Sequence, residues 1–210
     1  MNELNILICG VGGQGNVLLE TIIGMSAIKE GYSVRGADTF GTAQRGGSVL
    51  SHLRMGSEVN SGLVPQGRCH IILGLEPGEA LNAATKYICK NGLVIVNTSP
   101  LLPAKVKVGE WSYPSFEKIL ALIRELTPNV MELDATSLAR QATRNEKTMN
   151  IIMLGVLIGL NVLPISLGTV RRATEEMTGR FAQESIQALE AGFRIGQQRQ
   201  AVEGVSLADL

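Results

Sequence analysis

Apolar positions along the chain repeat with two periods, about two residues and about three and a half, and the alternation of these periods sets out the elements. Ile6 to Cys9 is an unbroken apolar run that predicts a buried strand. Behind it Val17, Leu18, Thr21, Ile22, Met25 and Ile28 recur at helical spacing, which predicts a helix packed through those residues. Gly31 to Asp38 predicts a turn and a second short strand. Ser48 to Met55 alternates, with Val49, Ser51, Leu53 and Met55 on one face and Ser48, Leu50, His52 and Arg54 on the other. His70 to Leu75 and Gly92 to Asn97 are further buried strands. Between them a helix starts at Pro77 beside two acids and runs to about Cys89, with Lys90-Asn-Gly92 closing it. Val106 and Val108 predict a short edge strand, and Trp111 a cap over the sheet edge. Phe116, Ile119, Leu120, Leu122, Ile123 and Leu126 form one helix face, and Asn129 to Leu133 a last strand. From about 145 onward only helices follow: Glu146 to Leu160, Ser166 to Thr178 with Ser166 as N-cap, and Arg180 to Gln200. The tail from Val202 is expected to fray.

Between the first strand and its helix lies Gly10-Val-Gly-Gly-Gln-Gly15. Gly10, Gly12 and Gly15 fit the G-x-G-x-x-G spacing of phosphate-binding turns, with Gly13 and Gln14 inside it. Glycine suits such a turn because a backbone without Cβ bends sharply and lets a ligand approach, while N–H groups at a helix start attract negative charge. Asp38 follows about 20 residues later, where a dinucleotide-binding fold places the acid that holds the ribose. The next segment argues against that fold. A Rossmann unit needs a crossover helix between its second and third strands. Here Asp38-Thr-Phe-Gly-Thr-Ala-Gln-Arg-Gly-Gly47 is only a short loop, so the second and third strands are expected to pair as antiparallel neighbours. The fold class expected is three-layer α/β/α with a mostly parallel, mixed, Rossmann-like sheet and a C-terminal helical segment, in a single domain over residues 1–210.

Composition narrows the functions. Lys+Arg and Asp+Glu are both 19 of 210 residues, and aromatics are 4%. There is thus neither a global pull toward nucleic acid or anionic membrane nor a base-stacking surface. Cys9, Cys69 and Cys89 form no C-x-x-C pair, and His52 and His70 complete no zinc or cluster spacing with them. They read as reduced, mostly buried thiols of a cytoplasmic protein. No signal region opens the chain, and Ile151 to Leu163, broken by Gly155, Gly159 and Asn161, is too short to span a bilayer.

Neither a G-x-S-x-G elbow nor a P-loop occurs. His52 is a potential base or a hydrogen-bonded strand residue, and Asp38 and Glu76 are carboxylates at strand ends or solvated turn residues. Polar chemistry concentrates at Gln44, Arg45, Gly46, Gly47 and Ser48. An arginine beside two glycines binds a carboxylate or phosphate through a bidentate fork, or clamps a partner's backbone or carboxylate. The residues leave both open.

The glycine turn together with Asp38-Thr-Phe-Gly-Thr-Ala-Gln-Arg-Gly-Gly-Ser-Val49 and Ser51-His-Leu-Arg54 resembles the gamma-type subunits of 2-oxoacid:ferredoxin oxidoreductases. Within them it is most similar to the small beta subunits of indolepyruvate ferredoxin oxidoreductases. Glu146-Lys-Thr-Met-Asn-Ile-Ile-Met-Leu-Gly155, Leu163-Pro-Ile165 and Gly192-Phe-Arg-Ile-Gly196 extend the resemblance over almost the whole chain. It implies a subunit of an enzyme that oxidatively decarboxylates a 2-oxoacid to an acyl-coenzyme A and passes electrons to ferredoxin. It also implies that thiamine diphosphate, Mg²⁺ and the iron–sulfur clusters sit in a larger partner subunit, and none in this chain. Gly10, Gly12, Gly13, Gln14, Gly15, Gln44, Arg45, Gly46 and Gly47 carry the family's motifs. Their loops are expected together at strand ends, facing the partner, with coenzyme A at the interface. A homodimer of the isolated chain is a further expectation. The alternative is a stand-alone nucleotide-binding or NAD(P)-dependent module built on the glycine turn and Asp38.

Overall fold

The computed structural model describes residues 3–41, 47–57, 59–102, 106 and 112–203. Six strands, β1 (Glu3–Val11), β2 (Ser33–Phe40), β3 (Ser48–Gly56), β4 (Cys69–Gly74), β5 (Ile88–Asn97) and β6 (Val130–Leu133), form one sheet. Their spatial order is β2-β3-β1-β4-β5-β6. β1, β4, β5 and β6 run parallel, while β3 is antiparallel to both β1 and β2. The missing crossover helix has the consequence read from the sequence: β2 and β3 close as a hairpin and β2 becomes the sheet's end strand.

The helices are α1 (Asn16–Lys29), α2 (Pro77–Tyr87), α3 (Phe116–Leu126), α4 (Ala135–Thr143), α5 (Met149–Gly159), α6 (Leu167–Thr178) and α7 (Ala182–Glu203), with a 3₁₀ turn at Glu146–Thr148. Strand alternation divides the core into two layers. Ile6 and Ile8 of β1 pack with Leu53, Ile71, Leu73 and Ile95 under α1, α5, α6 and α7. Leu7 and Cys9 point the other way, with Ile72, Val94 and Val96, under Ala80, Ala83 and Ala84 of α2 and Ile119 and Ile123 of α3. Helix starts follow their side chains: Ser115, Asp134 and Ser166 each accept a backbone N–H from three residues on.

Three expectations need correction. In α1 the deepest face is Leu19, Ile22, Ile23 and Ala27, with Leu18 and Met25 packed at its margin, while Val17 and Ile28 lie at the surface. The helix is apolar nearly all round, so spacing alone could not say which side meets the sheet. α2 ends at Tyr87 rather than Cys89, and β5 begins at once, because Ile88 pairs with Cys69 before the register shifts and Leu93 pairs with Ile71. The extra residues bulge at Gly92, where a Cβ would stand 2.9 Å from the Cys69 carbonyl oxygen. Third, Val106 is helical rather than extended. Val108 and Trp111, part of that edge-strand and cap expectation, lie outside the described residues.

At the far end of β1, Arg54 is buried and donates to Asn5 Oδ1 at 3.0 Å, to the Ser61 carbonyl at 3.0 Å and to Glu3 at 2.7 Å. The Arg54 hydrogen bond holds the Glu3 carboxyl below its ordinary 4.5. A carboxyl lowered by folding contributes stability that is fully present above the unfolded value and is lost as pH falls through the folded one. Glu3→Gln is therefore expected to flatten the acid limb of thermal midpoint against pH below about pH 5. An unchanged limb would remove Glu3 from the acid response.

Candidate functional site

The C-terminal ends of the parallel strands gather the residues with chemistry, the edge at which open α/β sheets bind ligands. β1 ends in the glycine turn, and two of its glycines take backbone angles an L residue rarely adopts: Gly13 has φ +99° and Gly15 φ +87°. Gly10 is there for a different reason. Gln14 folds back over it, so a Cβ on Gly10 would lie 2.6 Å from Gln14 Oε1. Gln14 Oε1 accepts the Val11 N–H at 2.7 Å, and its Nε2 donates to the Leu75 carbonyl at 3.3 Å. Gln14 thus braces the turn against the end of β4. Asn16 secures the helix start, donating to the carbonyls of Ile8 at 3.3 Å and Val49 at 3.1 Å.

The second loop meets the first. Gly12 N–H donates to the Gly47 carbonyl at 2.9 Å, and Ser48 Oγ donates to Glu79 at 2.6 Å. Gln44, Arg45 and Gly46 lie outside the described residues. With the N–H groups of Val11, Gly12 and Gln14 already used inside the protein, much of the turn's donor capacity is spent on shape rather than on a phosphate.

Asp38 is not beside that turn. It pairs across β2–β3 with Ser51, whose hydroxyl donates to its carboxylate. β3 stands between it and β1, which places it about 10 Å from β1 at two inter-strand spacings. Glu20 of α1 lies over the same strand, and burial together with the Asp38 charge raises its carboxyl. This geometry does not place an acid on a ribose held at the glycine turn.

Glu76, open in the sequence between a functional carboxylate and a solvated turn residue, is 3% exposed. It caps α2 by accepting the Glu79 N–H at 2.9 Å and accepts the Tyr113 hydroxyl. Burial pushes its carboxyl up, and those hydrogen bonds counter the rise. His52 is 1% exposed. Its Nδ1 accepts the Val64 N–H at 3.1 Å and its ring meets Tyr87 edge-on at 5.5 Å. Nε2 has no hydrogen-bond partner among the described residues. Burial lowers this imidazole's pKa, which makes it a neutral core residue rather than an accessible base. The thiols of Cys9 and Cys69 are pushed up by burial. Among the described residues no group of three or more His, Cys, Asp or Glu can hold a metal ion, and no helix is long and apolar enough to cross a membrane.

Two hollows flank the paired loops. One, of about 410 Å³, is lined by Thr39, Phe40, Ser48, Glu79, Asn82 and Lys86 among others. The other, of about 280 Å³, lies between Gly13, Gln14, Asn97, Ser99, Lys147 and Met149. The second uses Lys147 and Met149 of the Glu146–Gly155 motif. Asn150 of that motif reaches the back of the turn, where its side chain occupies the space a Cβ on Gly15 would need. Sequence spacing did not reveal the bracing roles of Asn16, Tyr113, Asn150 or Asn97, whose Nδ2 donates to the Leu75 carbonyl at 3.2 Å and whose Oδ1 accepts the Ala135 N–H at 3.1 Å. An asparagine directly after a glycine turn was the one usable signal.

Residues 5–195 match the family described as pyruvate ferredoxin/flavodoxin oxidoreductase. Indolepyruvate oxidoreductase subunit IorB of Archaeoglobus fulgidus is 37% identical over 203 residues, 96% of this chain and 97% of its own length. In structure, the gamma subunit of a keto/oxoacid ferredoxin oxidoreductase from Geobacter sulfurreducens superposes with TM-score 0.68 at 19% identity, over 93% of this chain and 99% of that one. The 2-oxoglutarate:ferredoxin oxidoreductase of Magnetococcus marinus, solved with 2-oxoglutarate, coenzyme A and succinyl-CoA, superposes with TM-score 0.70 at 18% identity. It covers 94% of this chain but 32% of that longer one.

Proposed function

The chain belongs to the pyruvate ferredoxin/flavodoxin oxidoreductase family, and from that premise we propose that it is the small subunit of a 2-oxoacid:ferredoxin oxidoreductase, with an indolepyruvate-type oxoacid as substrate. The end-to-end match to one indolepyruvate oxidoreductase subunit carries this reading, because 97% of that subunit's length is covered. The larger partner subunit bears the thiamine diphosphate, Mg²⁺ and iron–sulfur clusters, and ferredoxin takes the electrons there. Thiamine diphosphate supplies the carbanion chemistry that decarboxylates an oxoacid. This chain holds shape. Gln14, Asn16 and the Gly12–Gly47 hydrogen bond fix two loops at one end of the sheet. Gly10, Gly12, Gly13, Gly15 and the Gln44–Ser48 loop face the partner and the coenzyme A it uses, in the cytoplasm. A stand-alone NAD(P) module finds no comparable support, since Asp38 is bonded to Ser51 on the end-strand hairpin.

The purified chain alone is expected to show no oxidation of indolepyruvate with a dye acceptor. Adding the larger subunit, loaded with its cofactors and coenzyme A, is expected to give turnover in proportion to the complex formed on gel filtration. Turnover by the isolated chain would sink the proposal, as would full activity of the larger subunit without it.

A further inference from the structure

We propose that the first turn of α2 is a relay that positions Ser48, with Tyr113, Glu76 and Glu79 as its positioning residues. The relay is continuous on hydrogen bonds. Tyr113 donates its hydroxyl to Glu76 Oε1 and accepts the Gly78 N–H at 2.9 Å. Glu76 Oε2 accepts the Glu79 N–H at 2.9 Å. Glu79 Oε2 then accepts the Ser48 hydroxyl at 2.6 Å. Glu79 therefore has its amide held from one side while its carboxylate holds the other. Two segments far apart in sequence, the one entering α3 and the one entering β3, are joined through a single helical turn.

Capping alone does not explain these residues. Serine, threonine, aspartate or asparagine caps a helix with a shorter side chain and without burying a longer acid. Glutamate reaches both the Glu79 amide and the Tyr113 hydroxyl, and a buried carboxylate is tolerable only when so bonded. Gly78 completes the fit: a Cβ there would stand 3.1 Å from both Glu76 Oε2 and Tyr113 Oη. Ser48 and Glu79 both line the hollow of about 410 Å³, so the relay sets the relative position of two of its walls. The inference rests on the proposed function only in taking that hollow to lie on the coenzyme A side of the enzyme.

Hydrogen exchange on the full chain tests the relay without reference to activity. The readouts are the amides of Glu79, held by Glu76, and of Gly41, which donates to the Ser48 carbonyl at 2.7 Å. Tyr113→Phe and Glu79→Ala are each expected to speed Gly41 exchange by roughly tenfold, the loss of one hydrogen bond to a charged group. Glu79→Gln keeps an acceptor for Ser48 and is expected to restore most of the protection. Thr85→Ala, on the exposed side of the same helix, is expected to change neither amide. In the assembled enzyme, Tyr113→Phe is expected to raise KM for coenzyme A about fivefold with kcat held within about twofold. Unchanged Gly41 exchange in Tyr113→Phe overturns the relay. So does a fall in kcat and thermal midpoint with KM unmoved, the mark of a merely structural role. A wild-type complex without turnover would instead count against the functional reading, and the exchange data would still decide the relay.

Discussion

Gly155→Ala is expected to lower the thermal midpoint by roughly 6–12 °C, corresponding to a loss of about 3 kcal/mol. The usual sign is opposite, since replacing a mid-helix glycine by alanine adds about 1 kcal/mol of helix propensity. Here α5 and α7 touch backbone to backbone. A Cβ on Gly155 would meet the Phe193 amide nitrogen at 2.8 Å, and one on Gly159 the Gln197 amide nitrogen at 2.9 Å. The glycines of α7 face back in the same way, Gly192 toward Ile152 and Gly196 toward Gly159. Nothing soft is available to yield, because the opposing atoms are main chain and every residue of α5 is buried. The helices must separate, and separation opens the layer under Ile152 and Val156. Gly168→Ala is the control. It too is helical, but the nearest atom to a new Cβ is Arg172 Nη1 at 3.9 Å, so it is expected to raise the midpoint slightly. Circular dichroism melts of the two variants decide the matter: equal shifts would contradict the close-packing argument.

Those four glycines illustrate what the sequence could and could not say. Gly155 and Gly159 read in the sequence as interruptions of an apolar run too short to span a bilayer, a reading that says nothing of what they touch. Their pairing with Gly192 and Gly196 is a tertiary fact with no local signature. Strand order was more legible, because a short loop between β2 and β3 leaves room for a hairpin and none for a crossover helix. The cap at Ser166 was legible for a similar local reason. The α1 face was not: with Glu20 and Lys29 its only charges, its periodicity is too weak to choose a side. At the candidate site, the meeting of the two loops was expected from family likeness, and the Gly12–Gly47 hydrogen bond joins them. Gln14 shows the limit. It lies in a motif whose loop is expected to face the partner, yet both ends of its amide bond to the protein's own backbone. An amide's orientation depends on which carbonyl lies within reach, and that is set by where β4 ends.

Gly15→Val is expected to lower kcat/KM of the assembled enzyme by roughly a hundredfold, the scale on which misplacing reacting groups by about 1 Å acts, while the chain stays folded. Two effects combine at this residue. Its φ of +87° is one that a β-branched residue adopts only at a cost of about 1–2 kcal/mol. Its missing Cβ also leaves the space that the Asn150 side chain fills. Asn150 can swing away, since only the end of its side chain obstructs, so the price falls on the turn's conformation rather than on the fold. The turn cannot shift alone: Gly12 is tied to Gly47, and Gln14 to Leu75. The second loop therefore moves with the first. Gly13→Ala separates the contributions, because Gly13 has φ +99° but open space around its Cβ position; strain without obstruction is expected to cost about tenfold or less. Gly15→Ala combined with Asn150→Ala relieves the obstruction and is expected to recover part of the loss. Turnover is measured per assembled complex, with assembly followed by gel filtration and folding by circular dichroism. A Gly15→Val complex that assembles and turns over like wild type would mean that the two loops neither shape the coenzyme A side nor meet the partner through this turn.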